Sequence, residues 1–247
     1  MKKILKPIFT LLISINLMAC TTHVKTGDGS HEVNKNGSEV SETRQVTAFN
    51  KIEMDGVFNV YLRQGDTESL IIEADKAVAA HIISEVKNET LKLKMEDDTD
   101  FGDIEPVKIY VQVRDLQSLS NKGVGTIKCE QALKLDQFML TSEGVGAIDL
   151  TLSANRLVVK SETVGAITLA GKVTEVDITH NGVGVLQAFE LLTRNLKLSS
   201  NGVGAAEVYA SESIDIEAKG VGSVQYKGNP KTKNIVSEGI GKVAAVD

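Results

Sequence analysis

From about residue 118 to the C-terminus, apolar and polar residues alternate with period two on both sides of a recurring Gly-Val-Gly. The triplet stands at 123–125, 144–146, 182–184, 202–204 and 220–222, with Thr163-Val164-Gly165 and Gly239-Ile240-Gly241 as variants. Successive copies start 21, 19, 19, 20, 18 and 19 residues apart. Seven copies at one period mark a repeat architecture, in which each copy is one unit that stacks on the next.

Aligning the copies gives each column a physical meaning. Four residues before the triplet lie Leu119, Leu140, Val159, Ile178, Leu198, Ile216 and Ile235. Four after its first position come Ile127, Ile148, Ile167, Leu186, Ala206, Val224 and Val243, and two further on Cys129, Leu150, Leu169, Ala188, Val208, Tyr226 and Ala245. These columns, together with the middle residues Val124, Val145, Val164, Val183, Val203, Val221 and Ile240, are expected to point inward. The intervening residues are mostly polar, so each copy reads as strand, corner, strand.

Propeller blades need about 40 or more residues, twice this period. Leucine-rich repeats come nearer, and Leu196-Lys197-Leu198-Ser199-Ser200-Asn201 mimics their strand, but the other copies lack the Asn and carry a second strand instead. The remaining solution is an all-β, right-handed parallel β-helix, a β-solenoid of about 19-residue coils, the hand following from the general preference of parallel crossovers. At about 4.8 Å per turn, seven coils make a rod of roughly 30–35 Å.

The second glycine recurs in all seven copies, at Gly125, Gly146, Gly165, Gly184, Gly204, Gly222 and Gly241, whereas Thr163 replaces the first one once. The second position is therefore expected to need positive φ, and the first to serve a close turn. A second, more variable loop is expected at 153–155, 171–172, 193–195, 211–213 and 228–230, which makes that edge or a flat face the more adaptable place for binding.

Residues 45–122 are less regular. Ile52, Gly56, Val57, Val60 and Leu62 fit the same columns with Phe58 replacing the second glycine, which predicts a degenerate coil. Residues 75–87 carry Val78, Ile82, Ile83 and Val86 on one helical face behind Asp75 as N-cap, predicting a helix that covers the N-terminal end of the rod. No capping element is visible before Asp247, so the other end is a candidate for end-to-end self-association or a partner.

The first 19 residues read as a signal peptide: Lys2, Lys3 and Lys6, then an apolar stretch from Ile8 to Ala19, too short and too interrupted to span a membrane. It closes on Leu17-Met18-Ala19-Cys20, which resembles the lipobox of bacterial lipoproteins and predicts lipid attachment at Cys20 as the route to the membrane. Residues 20–44 read as the lipidated Cys and a flexible polar tether, leaving 45–247 as a single domain: irregular coils over 45–122, Gly-Val-Gly coils over 123–247.

Composition narrows the partners. With 27 Lys+Arg against 33 Asp+Glu the net charge is −6, and losing the three leader lysines takes it to −9. An acidic chain without basic runs is not built for nucleic acid. There are 21 Gly and no Trp; a long sugar-binding groove would want aromatic platforms. No cofactor or metal is expected. Cys129 falls in an inward column and reads as an inert thiol. His180 shares the column of Ser142, Ser161 and Ser200, while His81, His23 and His31 have no recognisable partners. The outward column Lys122, Glu143, Glu162, Asn181, Asn201, Lys219, Glu238 has mixed signs and reads as a solvated face rather than a converging acid–base set.

Leader, tether, the segment Phe49-Asn50-Lys51-Ile52-Glu53 to Val57-Phe58-Asn59-Val60-Tyr61-Leu62-Arg63-Gln64-Gly65, and the stacked Gly-Val-Gly coils together resemble the bacterial family named putative auto-transporter adhesin, head GIN domain, common as lipoproteins in Bacteroidota. The resemblance covers roughly residues 45–240. It implies a right-handed parallel β-helix at the cell envelope, lipid-anchored at the outer membrane, and brings no catalytic residues. The reading is a binding or structural module whose partner is an envelope or host glycan or protein. The alternative is a polysaccharide-degrading β-helix enzyme.

Overall fold

The computed structural model describes residues 31–33 and 37–247. Each turn of the solenoid has one strand before the corner and one after it, and each lies parallel on its counterpart in the next turn. Before the corner the ladder runs Lys51–Asp55, Ser118–Asn121, Gln137–Ser142, the second halves of Val145–Ser161 and Val164–His180, then Leu191–Ser200, Ser213–Ala218 and Thr232–Ser237. After the corner it runs Val57–Gln64, Val124–Cys129, the first halves of the same two long strands, Val183–Ala188, Val203–Tyr209, Val221–Lys227 and Ile240–Ala245. Every copy of the repeat is in register: Val124 lies on Val145, that on Val164, and so on to Ile240.

The core is a set of apolar ladders between these strands. Ile52, Leu119, Leu140, Val159, Ile178, Leu198 and Ile216 are buried on one side, and Val60, Ile127, Ile148, Ile167, Leu186, Ala206 and Val224 on the other. Burial of like on like, turn after turn, makes each turn depend on its neighbours for its apolar contacts. The predicted degenerate coil is present, with Val57 on Val124 and Phe58 on Gly125.

The middle residues of the triplets do not point inward. Val124, Val145, Val164, Val183, Val203 and Val221 are 46–51% exposed and Ile240 76%. Alternation continues unbroken through the corner, so counting from Leu119 puts Asn121, Gly123, Gly125 and Ile127 inside and Val124 outside. The glycines occupy the inside of the bend, where backbone lies on backbone. All seven second glycines have φ between +131° and +154°.

The second edge also differs from expectation. Val145–Ser161 and Val164–His180 pass through it as continuous 17-residue strands and Leu191–Ser200 as a 10-residue one, with no loop at 153–155, 171–172 or 193–195. The longest copy places its extra residues around 130–132 and 135–136, between strands.

At the N-terminal end the chain departs from sequential winding. Thr90–Met95 and Val107–Val113 form a turn beneath the one built from Lys51–Asp55 and Val57–Gln64, and Ser118–Asn121 then starts above it. Antiparallel strands finish this end: Ser69–Asp75 on Val107–Val113, Glu39–Arg44 outside that, and Ile82–Lys87 on Thr90–Met95. They cover what would otherwise be open parallel edges.

The predicted helix over 75–87 is therefore only Lys76–Ala79, N-capped by Asp75, whose carboxylate accepts from the Ala77 N–H at 2.8 Å. Asn88 and Glu89, with φ of 51° and 59°, make the tight turn that folds Ile82–Lys87 back on Thr90–Met95. Two consecutive positive φ values define the hairpin turn whose twist matches the flanking strands. Part of the expected tether belongs to the folded body too: Glu39–Arg44 is a strand, held through backbone pairing and an Arg44 Nη2 bond to the Ala79 carbonyl at 2.9 Å. Its single apolar residue, Val40, leaves no hydrophobic period to reveal it. Cys20, the leader and His23 lie outside the described residues.

Candidate functional site

The outward placement of the valines makes a surface that the sequence reading did not anticipate. Val124 through Ile240 form one unbroken apolar file along the Gly-x-Gly edge, about 30 Å long at about 4.8 Å per turn. The next outward column after the corner is Thr126, Ala147, Ala166, Val185, Ala205, Ser223 and Lys242, with Val185 37% exposed. Single exposed valines are ordinary, whereas a contiguous apolar strip bordered by polar residues marks a contact surface.

The border on the other side is the column Lys122, Glu143, Glu162, Asn181, Asn201, Lys219, Glu238. It stacks as a ladder of its own: Lys122 Nζ lies 3.5 Å from Glu143, Asn201 Nδ2 donates to Asn181 Oδ1 at 3.2 Å, and Lys219 Nζ lies 3.8 Å from Glu238. Lys219 also pairs with Glu217 at 2.5 Å, a hydrogen bond that raises the ammonium pKa and lowers that of the carboxyl. All these groups are open to water and contribute little to stability.

Concavities lie elsewhere on the rod. The second edge carries a polar groove of about 440 Å³ with Asn155, Lys172, Thr193, Arg194 and Tyr209 on its walls. A shallower one of about 270 Å³, lined by Arg156, Glu175, Asp177 and Asn195, lies on the same side. Exposed ion pairs Arg156–Glu175 at 3.0 Å and Arg194–Glu212 at 2.6 Å cross between turns here. The N-terminal cap has a cleft of about 740 Å³ between Glu39, Val40, Glu73, Asp75, Ile104 and Glu105. On the outer face of the first turns Tyr61 and Tyr110 stack with centroids 5.0 Å apart, and the Tyr110 hydroxyl donates to Glu73 at 3.2 Å.

Among the described residues the reactive side chains do not converge. Cys129 is half-buried; its Sγ accepts from the Thr151 N–H at 3.0 Å, and burial pushes the thiol pKa up, away from the thiolate needed for nucleophilic chemistry. His180 is 4% exposed, 3.4 Å from Ser161 Oγ, and its pKa is lowered by burial. His81 lies in the cap, 2.6 Å from Glu96 and edge-on to Phe101. Among the described residues no three His, Cys, Asp or Glu are grouped to hold a metal, and no helix is long and apolar enough to cross a membrane. Gly125, Gly146, Gly165, Gly184, Gly204, Gly222 and Gly241 shape the corner and leave its valines outside.

The chain belongs to the family described as "Putative auto-transporter adhesin, head GIN domain", which matches residues 48–230. It is similar over its fold to the crystal structure of a putative adhesin from Bacteroides fragilis NCTC 9343: 31% identity, TM-score 0.84, covering 88% of this chain and 100% of that one. A putative lipid binding protein from Parabacteroides distasonis ATCC 8503 shares the fold at 19% identity and TM-score 0.68, over 88% of this chain and 100% of that one. A putative adhesin from Parabacteroides merdae ATCC 43184 does so at 17% identity and TM-score 0.62, over 87% and 99%. No curated protein matches the sequence.

Proposed function

We propose that this chain is a lipoprotein of the cell envelope, held at the outer membrane through Cys20, whose solenoid works as an adhesin-like contact module and not as an enzyme. The observation that carries the reading is the exposed valine file. A rod that buries Leu, Ile and Val in its interior ladders keeps six valines and an isoleucine half-exposed or more on one outer edge, where water contact is unfavourable unless another surface covers them. The family membership agrees with such a role, and the scattered Cys129, His180 and His81 offer no catalytic constellation.

The test is adhesion by cells displaying the full chain, against immobilised envelope or host glycans and proteins. Val164→Asp with Val203→Asp is expected to abolish binding while leaving the melting temperature within a few degrees, because both side chains face water. Binding unchanged in this double variant, or release of oligosaccharides from envelope or host polymers by the purified protein, would overturn the reading. Anchoring is read separately by Cys20→Ala, which is expected to move the protein from the membrane to the soluble fraction.

A further inference from the structure

The valine edge has a pattern of charge that selects one occupant. Read along the rod, the polar border runs Lys122, Glu143, Glu162, Asn181, Asn201, Lys219, Glu238. Laid against itself in the opposite direction, centred on Asn181, it sets Lys122 against Glu238, Glu143 against Lys219, Glu162 against Asn201 and Asn181 against its own copy. We propose that the valine edge pairs with a second copy of this chain, antiparallel, about a two-fold axis at the turn of Asn181 and Val183. This deepens the contact-module reading above by naming the partner.

Three comparisons support that geometry. The first concerns the other border. A two-fold axis perpendicular to the rods brings each border against itself, so the small-residue column also meets its own reverse: Ala166 against Ala205, Val185 against Val185, Ala147 against Ser223, Thr126 against Lys242. Apolar residues then face apolar ones at the centre of the strip, Ala147 meets the small hydroxyl side chain of Ser223, and the polar end positions Thr126 and Lys242 meet each other.

The second concerns the parallel alternative. An axis along the rods would place the polar border against the small-residue column of the other copy. Glu143 would be pressed on Ala147 and Glu162 on Ala166, stripping water from carboxylates without giving them partners. The third concerns register. The valine file continues into Val57, with Asp55 on the border, but shifting the axis to include that turn would set Asp55 against Glu238 and Lys122 against Lys219. Like charges facing each other at both ends reject it.

The intrachain pairs fit the same plan. Lys122 and Glu143 are already 3.5 Å apart, as Lys219 and Glu238 are at 3.8 Å, so the antiparallel contact closes each two into a four-charge square of alternating sign. A strip about 30 Å long and about 13 Å wide buries roughly 400 Å² per copy, half of the ~800 Å² typical of stable complexes. The pair is therefore weak in solution and is strengthened where many anchored copies face each other. Antiparallel rods carry their N-terminal ends at opposite ends of the pair, an arrangement suited to chains reaching from two opposed surfaces.

Sedimentation equilibrium of the full chain carrying Cys20→Ser, which removes the lipid site, tests this. The mass is expected to rise from monomer towards dimer between about 10 µM and about 1 mM, and Asn181→Cys is expected to cross-link into a covalent dimer with a short bifunctional thiol reagent. Val183→Asp, which places two carboxylates at the axis, is expected to hold the protein monomeric with an unchanged far-UV spectrum. Lys219→Glu is expected to weaken the dimer at least tenfold, and adding Glu143→Lys to restore it. A monomer throughout the range, a dimer indifferent to Val183→Asp, or no rescue by the charge swap would overturn the pairing. Valine-dependent adhesion to another molecule by a strictly monomeric protein would overturn the pairing alone and leave the contact-module reading standing.

Discussion

Lys233 lies directly on Ile214, the first charged residue in a column that runs Phe138, Leu157, Val176, Leu196, Ile214 through the turns below. Its ammonium sits 5.9 Å from the centroid of the Tyr226 ring. The strands Thr232–Ser237 and Ile240–Ala245 pair on one side only, so they expose a row of backbone donors and acceptors to any further strand. A charge at a core-facing position of an edge strand is a recognised obstacle to such stacking.

Lys233→Ile should therefore make the rod associate end-on, where the natural chain resists it. Light scattering in the Val183→Asp background, which removes the lateral contact, would show growth to dimers or longer species for the variant and a constant monomer without it. Equal behaviour of the two would mean that Lys233 does not guard the end.

The corner supplies a second prediction. A Cβ on Gly184 would overlap the Gly165 carbonyl and a Cβ on Gly182 the Thr163 carbonyl, but only Gly184 adds a φ of +145°, whereas φ at Gly182 is ordinary. Thr163 shows that the first position accepts a side chain, with Oγ1 bonding Ser142 Oγ at 2.6 Å. Gly184→Ala should lose about 2–4 kcal/mol through clash and a disfavoured backbone, and Gly182→Ala about 1–2. Thermal melts of the two variants decide it: Gly184→Ala should unfold at the lower temperature.

How much of this was legible in sequence depends on which signal carried it. The columns of Leu119 and Ile127 announced themselves because apolar identity and period two agreed. The valine column misled because the two disagreed, and the apolar character of Val124 outweighed the count that puts it outside. Residues 75–87 satisfy a helical spacing as well as a strand one, and only the Asn88-Glu89 turn, which lacks the usual glycine, decides between them. The antiparallel cap over Ser69–Asp75 has no repeat to betray it. The candidate surface was hidden for the same reason as the valines, since it consists of them.

His180 predicts a pH dependence. It is buried among Ser161 and the glycines of the corner beside a small void of about 20 Å³, and its Nε2 has no hydrogen-bond partner among the described residues. Burial lowers its folded pKa below the unfolded value near 6.5. The unfolded chain then binds the proton more readily, so the stability contributed by neutral His180 is full above about pH 6.5 and is lost as the pH falls towards the folded pKa. Chemical denaturation between pH 7.5 and 5 should show this loss, and His180→Ser, the residue at 161 and 200, should flatten the curve. A curve with the same slope in both proteins would assign the effect to other groups.

Phe58 replaces the corner glycine in the turn built from Lys51–Asp55 and Val57–Gln64. Phe58 stands in register with Gly125 above and Val107 below, and is 4% exposed. Below it the ladder leaves the Gly-x-Gly pattern, so the inside of the corner there has no glycine backbone to stack on and would be hollow. The phenyl ring occupies that space; a Cβ on Gly56 would collide with it, which ties the small residue at 56 to the large one at 58. Phe58→Gly would bring the turn to the consensus of the seven others, and repeat logic alone would call it stabilising. The packing argument gives the opposite sign: removing a buried ring leaves a cavity and should lose about 3–5 kcal/mol, with the glycine's added chain entropy on top. Because the site joins the antiparallel cap to the regular coils, hydrogen exchange in Phe58→Gly should accelerate first in Thr90–Met95 and Val107–Val113, while Val145–Ser161 keeps its protection. A variant as stable as the natural chain would show that the corner needs only its glycines and that Phe58 is incidental.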